Sequence, residues 1–209
     1  HVYNILNLDT FYEGVFVDGV DLKGKTLDEA LNEIKAKHQP ELDAMKISLQ
    51  FGNKTWEYGY KDIDAKIDIE KVVNEAYQVG RKGEHIDRLK EIYNTSKKPK
   101  TFNTKLTYNV DKLKGQIENI SKEINVDPVD ATITFKPHNN PMFTFTEEKI
   151  GRGMLVDKTM TDIKVKVDGR DFTPYQIPVE ELHPKYTLAE VKTWTSKLSV
   201  YSTKLSGGS

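Results

Sequence analysis

The feature that most restricts how this chain can fold is an order of local patterns that occurs twice. In the first half, Val15-Phe16-Val17-Asp18-Gly19-Val20 reads as a strand entering a tight Asp-Gly turn. Thr26 then stands where a helix N-cap belongs, Glu29 completes a capping box, and Leu27, Ala30, Leu31 and Ile34 supply one apolar face. Lys46 to Phe51 and Thr55 to Tyr60 alternate apolar and polar residues around Gly52-Asn53, which predicts a hairpin. Ile67-Asp68-Ile69-Glu70 leads into a second helix with Ile69, Val72, Val73, Ala76 and Tyr77 on one face, stopped by Gly80 and Gly83.

The second half repeats that order with other residues. Leu106 to Val110 is a strand, and Asp111 can cap a helix carrying Leu113, Ile117, Ile120 and Ile124, which Asp127-Pro128 ends. Ala131 to Phe135 and Met142 to Phe145 flank a turn, and Gly151 to Asp157 parallels the approach of Asp64 to Asp68 to the earlier helix. A helix from Asp157 through Val165 and a strand around Phe172 to Val179 complete the pattern. The polar, lysine-rich stretch Asn94 to Asn103, with Pro99, reads as a linker. Because the hairpins are antiparallel, the expected class is α+β: two similar units, each a mixed, largely antiparallel sheet with helices packed on one face. A duplication accounts for the order. The expected boundaries put residues 1–95 in the first unit, 96–195 in the second and 196–209 at the start of a further domain.

Composition removes several functions. The 209 residues include no cysteine, which excludes a disulfide framework, a thiolate zinc site and a cysteine nucleophile. A formal charge of -1, from 31 basic and 32 acidic residues, gives no field that would draw the chain onto nucleic acid or an anionic membrane. No stretch approaches the roughly 20 apolar residues of a membrane helix, and no signal peptide is present. The start at His1-Val2-Tyr3, without an initiator methionine, and the end at Ser206-Gly207-Gly208-Ser209 suggest a piece of a longer protein.

With that order in view, the run Gly14-Val15-Phe16-Val17-Asp18-Gly19-Val20-Asp21-Leu22-Lys23-Gly24-Lys25-Thr26-Leu27-Asp28-Glu29-Ala30 resembles the entry motif of the peptidoglycan-binding region of VanW-like proteins. Trp56-Glu57-Tyr58, the helix Val72-Val73-Asn74-Glu75-Ala76-Tyr77 and the corner Gly80-Arg81-Lys82-Gly83 are similar to the same region. Pro128-Val129-Asp130-Ala131, Phe143-Thr144-Phe145 and Gly151-Arg152-Gly153-Met154-Leu155-Val156-Asp157 resemble the unit that also precedes the catalytic domain of some L,D-transpeptidases. Tyr201-Ser202-Thr203-Lys204-Leu205-Ser206-Gly207 is similar to the opening of the VanW domain itself. Around the second-unit turn this chain has prolines where the family often has glycines, so ligand contacts there are not carried over.

The resemblance implies a non-catalytic, extracytoplasmic module of a bacterial, Gram-positive-type cell envelope. It would bind peptidoglycan, through a glycan strand or a stem peptide, and position a C-terminal domain. A membrane anchor would lie before residue 1. The alternatives are a spacer or interaction arm without a ligand, and an accessory domain of an L,D-transpeptidase-like enzyme whose active site lies elsewhere.

The residues offer little chemistry of their own. His1, His38, His85, His138 and His183 are scattered without metal-ligand spacing and read as surface residues, so neither a metal nor a cofactor is expected. Glu147-Glu148, Glu180-Glu181 and Asp62 with Asp64 are carboxylate pairs, but neighbours point apart and define no cleft, so solvated charge is the expectation. Ser202-Thr203-Lys204 does not have the Ser-x-x-Lys spacing. For ligand binding the candidates are Arg81 and Arg152, since glycine-flanked arginine offers backbone donors and a planar guanidinium to a carboxylate. The commoner meaning is a glycine that ends a helix or permits a turn while arginine pairs locally. Trp56, Tyr58 and Tyr60 alternate along one predicted strand, as a sugar platform would, although one side of a core has the same spacing.

Overall fold

The computed structural model describes residues 2–196. Its elements, in order, are α1 (Val2–Leu6), β1 (Val15–Val17), β2 (Val20–Asp21), α2 (Leu27–Ala44), β3 (Lys46–Phe51), β4 (Lys54–Gly59), a 3₁₀ turn (Tyr60–Ile63), β5 (Lys66–Ile67) and α3 (Ile69–Tyr77). They continue with α4 (His85–Lys97), β6 (Lys100–Phe102), β7 (Leu106–Thr107), α5 (Val110–Ile124), β8 (Thr132–Phe135), β9 (Phe143–Thr146), β10 (Gly151–Met154), α6 (Val156–Asp168), β11 (Tyr175–Gln176) and β12 (Val179–Leu182). Residues 188–196 are helical. The fold is α+β with small mixed sheets, and the order strand, helix, hairpin, strand, helix does occur twice. No helix of the described residues is long and apolar enough to cross a membrane.

Two compact units are present, each assembled from separated stretches of chain. The first comprises His1–Ser48, Glu57–Leu113 and Val167–Thr173, and the second Leu49–Trp56, Lys114–Lys166 and Pro174–Ser209.

In the first unit, β1 pairs antiparallel with β2 and parallel with β6. Thr26 caps α2 reciprocally, accepting from the Glu29 amide at 3.2 Å while its own amide donates to the Glu29 carboxylate at 2.9 Å. Ala30 and Ile34 of α2 join Phe11, Val15, Val17, Leu22 and the inner face of α3 (Ile69, Val72, Val73, Ala76) in one buried cluster. Each fully buried valine or isoleucine there contributes about 1.5–3 kcal/mol.

Two expectations are corrected here. Asn94 to Asn103 is not a linker: its first residues finish α4, and Lys100–Phe102 is a strand in register with Val15–Val17. The composition misleads because α4 carries lysines and acids on its outer side and β6 is held by backbone bonds, which leave no hydropathy signal. The histidines are not all at the surface, since His38 is only 6% exposed. Its Nε2 lies 2.6 Å from the Asp18 carboxylate, which also accepts from the Thr104 amide at 2.8 Å and the Thr104 hydroxyl at 2.6 Å. Burial alone would raise the Asp18 carboxyl, yet the Thr104 hydrogen bonds and His38 hold it below its ordinary value.

In the second unit, α5 presents Ile117, Ile120 and Ile124 as fully buried residues. β10 pairs antiparallel with β12, and β8 with β9. β11 pairs parallel with the tip of β3, setting Tyr175 opposite Leu49. On the β8–β9 hairpin, Ile133, Phe135, Phe143 and Phe145 share one face, and Thr132, Thr134, Thr144 and Thr146 the other. Phe135 and Phe145 remain exposed.

Candidate functional site

The two glycine-flanked arginines are built differently. At the end of α3, Gly80 turns the chain with φ +71, where a Cβ would stand 2.5 Å from Ile92 Cγ1 and 2.9 Å from Tyr12 Cε2. That turn sends Arg81 inward. Its Nη1 donates to the Tyr77 carbonyl at 2.6 Å and, longer, to the Val79 carbonyl at 3.4 Å, and its Nη2 to the carbonyls of Leu8 at 3.1 Å and Thr10 at 2.7 Å. The guanidinium lies 3.7 Å from the centre of the Tyr77 ring and 4.8 Å from that of Tyr12. Arg88 adds bonds to the Gly80 and Leu6 carbonyls, so two arginines fasten the N-terminal segment to the end of α3.

Arg152 lies in a strand and not at a corner. β10 runs so close to residues 126–128 that a Cβ on Gly151 would meet the Val126 carbonyl oxygen at 2.3 Å and Pro128 N at 2.5 Å. Arg152 itself bridges Val126 through both backbone groups, at 2.8 and 2.9 Å. Its Nε donates to the Ile124 carbonyl at 2.7 Å, and its guanidinium sits 5.2 Å from the Phe51 ring centre. Among the described residues, Nη1 and Nη2 have no protein partner, and the side chain is exposed. One edge of the guanidinium is thus fixed while the other faces solvent, the arrangement that receives a carboxylate bidentately. Glu181 stands opposite in the β10–β12 register, but its carboxylate pairs with His183 at 3.7 Å instead.

Trp56 belongs to the same unit. Half-buried on β4, it donates from Nε1 to Glu123 at 3.3 Å, and Lys54 reaches the other oxygen of Glu123 at 3.6 Å. Tyr58 is a half-buried residue of the first unit. Tyr60 is not on the strand at all. β4 ends at Gly59, whose amide donates to Asp62 at 2.7 Å and turns the chain into the 3₁₀ segment, so the expected run of three aromatics on one face breaks at its last member.

Sequence reasoning passed over two features. One is the apolar face of the β8–β9 hairpin, whose signal was the Phe-Thr-Phe and Thr-Ile-Thr-Phe alternation. A cleft of about 730 Å³ lies there, lined by Pro141, Met142, Phe143 and Phe145 together with Lys192 and Thr195. The other is the Asp18–His38–Thr104 cluster, which has the residue types of a catalytic constellation. All three side chains are largely enclosed and bonded to one another, which makes them a latch between the β1–β2 turn, α2 and the segment that follows β6.

Of the carboxylate pairs, Asp62 and Asp64 are drawn into separate bonds. Asp62 caps the 3₁₀ turn while Asp64 pairs with Lys112 at 2.9 Å, and Glu148 accepts from the Leu188 amide. No group of three metal-ligating side chains gathers among the described residues. Ser202, Thr203 and Lys204 lie outside them.

Comparison with known proteins gives one match. The model of a family described as "Putative peptidoglycan binding domain" covers residues 56–176, more than half of the chain, and the matched stretch holds Trp56, Tyr58, Tyr60, Arg81 and Arg152. No curated protein and no solved structure matches.

Proposed function

Because the chain belongs to this family of peptidoglycan-binding domains, we propose that it is a non-catalytic module that holds peptidoglycan outside the cytoplasm, at the cell wall. The observation that carries the site assignment is the half-spent guanidinium of Arg152, anchored through Nε and laid against Phe51 with both terminal nitrogens open. Stem peptides present carboxylates, and a planar donor pair already held in place meets one at little cost in side-chain freedom. The Trp56 ring, held by Glu123 in the same unit, supplies an amphipathic surface of the kind that receives sugar rings. The non-catalytic assignment is supported by the separate structural duties of Asp62 and Asp64 and by the enclosure of the Asp18–His38–Thr104 cluster.

The finer resemblance, to the region that stands before a VanW domain, rests on the entry motif 14–30. That motif folds as the β1–β2 hairpin and the capped start of α2. Residues 201–207, which resemble the start of the VanW domain, lie outside the described residues.

Sedimentation with insoluble peptidoglycan sacculi in moderate salt tests the proposal. Wild type is expected to sediment, and Arg152→Ala, which keeps its fold, to lose affinity about 10–100-fold, the value of a charge-assisted bidentate contact. Wild type remaining in solution would make the chain a spacer, and retention of Arg152→Ala at full strength would remove Arg152 from the site.

A further inference from the structure

The first unit contains a second charged surface that the peptidoglycan reading does not use. α4 carries Asp87, Lys90, Glu91, Asn94 and Thr95 at helical spacing, so they form one stripe. Lys82 before the helix and Lys98, Pro99 and Lys100 after it complete the lining of an open cleft of about 660 Å³. Four ammonium groups and two carboxylates give this lining a formal charge of +2.

The carboxylates do not neutralise the lysines evenly. Glu91 is occupied on both oxygens, by Lys100 Nζ at 2.7 Å and by the Gly80 amide at 2.8 Å. Burial pushes its carboxyl up, but those bonds and the charges of Lys100 and Lys82 hold it below the usual range, so it stays ionised and serves as a fixed internal counter-charge. Lys82, Lys90 and Lys98 have no carboxylate within ion-pair distance among the described residues, and all three are exposed. In the same stripe, Thr95 is 1% exposed and its hydroxyl has no hydrogen-bond partner among the described residues, although a helical threonine ordinarily bonds the preceding turn.

We propose that this cleft is an anion site for a phosphate group. Three ammonium groups without a carboxylate partner among the described residues, Lys82 from the turn before α4, Lys90 from the helix and Lys98 from its C-cap, line the cleft as point charges. This suits the charge and the three oxygens of a phosphate, where a planar carboxylate is better met by a guanidinium fork. The phosphate can come from a phosphodiester-linked polymer of the wall or from a small phosphate ester. The assignment is independent of Arg152 and of peptidoglycan.

The test is calorimetric titration of the full 209-residue chain, in low-salt buffer free of phosphate, with inorganic pyrophosphate and separately with poly(glycerol phosphate). Saturable binding is expected, weakened at least about tenfold in Lys90→Gln/Lys98→Gln and unchanged in Arg152→Ala. Binding of the polymer alone assigns the site to a wall polymer, and binding of both assigns it to the phosphate group itself. The proposal is overturned if neither probe binds wild type, if the double variant binds as tightly, or if a stem tripeptide displaces pyrophosphate at equal concentration.

Discussion

Arg81 and Arg152 sit in nearly the same sequence context, glycine on one side and glycine one or two residues on, yet one is structural mortar and the other an open donor pair. Arg81 follows a helix end whose left-handed glycine swings it onto the carbonyls of Tyr77, Leu8 and Thr10. Arg152 lies in a strand whose glycine permits close backbone approach, and only its Nε is used. The motif therefore specifies a backbone manoeuvre, and the surroundings decide whether the guanidinium is consumed. The contrast recurs between the buried cluster of Asp18, His38 and Thr104, whose side chains bond one another, and Arg152, whose terminal nitrogens have no protein partner among the described residues.

The largest expected effect lies with Arg81. Arg81→Ala strips partners from several carbonyls and removes two ring contacts, and should cost about 3 kcal/mol in urea unfolding. Arg81→Lys should recover little, because an ammonium cannot serve carbonyls on two sides while lying flat on Tyr77. Arg152→Ala in the same titration should cost less than about 1 kcal/mol, since only one carbonyl bond and an exposed ring contact are lost. Equal losses at the two positions would erase the distinction.

A smaller effect is expected in the latch. The Asp18 carboxyl is held below its ordinary value in the folded chain, so its contribution is present above the unfolded pKa of about 3.9 and lost as pH falls through the lower folded value. Asp18→Asn keeps a residue type that tolerates the φ of +48 and should cost about 1–2 kcal/mol at pH 7. Stability followed by urea unfolding from pH 7 down to pH 2 should fall less steeply in the variant than in wild type below pH 4. Parallel curves would mean that Asp18 does not titrate against its partners.

What was legible in the sequence was local. The capping box of Thr26 and Glu29, the Gly52-Asn53 hairpin and the inner face of α3 each lie within a few residues of chain, and each appears as read. What escaped was made by distant backbone. Arg81 finds two of its acceptors, Leu8 and Thr10, about 70 residues upstream, β6 finds β1 across a similar distance, and His38 is buried where Asp18 and Thr104 come to it from either side. Carbonyl acceptors carry no residue identity, so no pattern of side chains announces them. The lysine stripe of α4 escaped for the opposite reason, because a charged helix beside a proline resembles a linker until its strand partner is known.

The smallest expected effect is the most discriminating for the open arginine. Arg152→Lys preserves the charge but not the fork, so it should leave stability within about 0.5 kcal/mol of wild type. If the ligand is a carboxylate taken bidentately by Nη1 and Nη2, retention on sacculi should fall roughly fivefold to tenfold, between wild type and Arg152→Ala, with little recovery on lowering the salt. If the lysine variant matches wild type and both weaken steeply with salt, the position contributes only charge. The peptidoglycan contact would then have to be sought on the aromatic surfaces, beginning with Trp56 and the exposed phenylalanines of the β8–β9 hairpin.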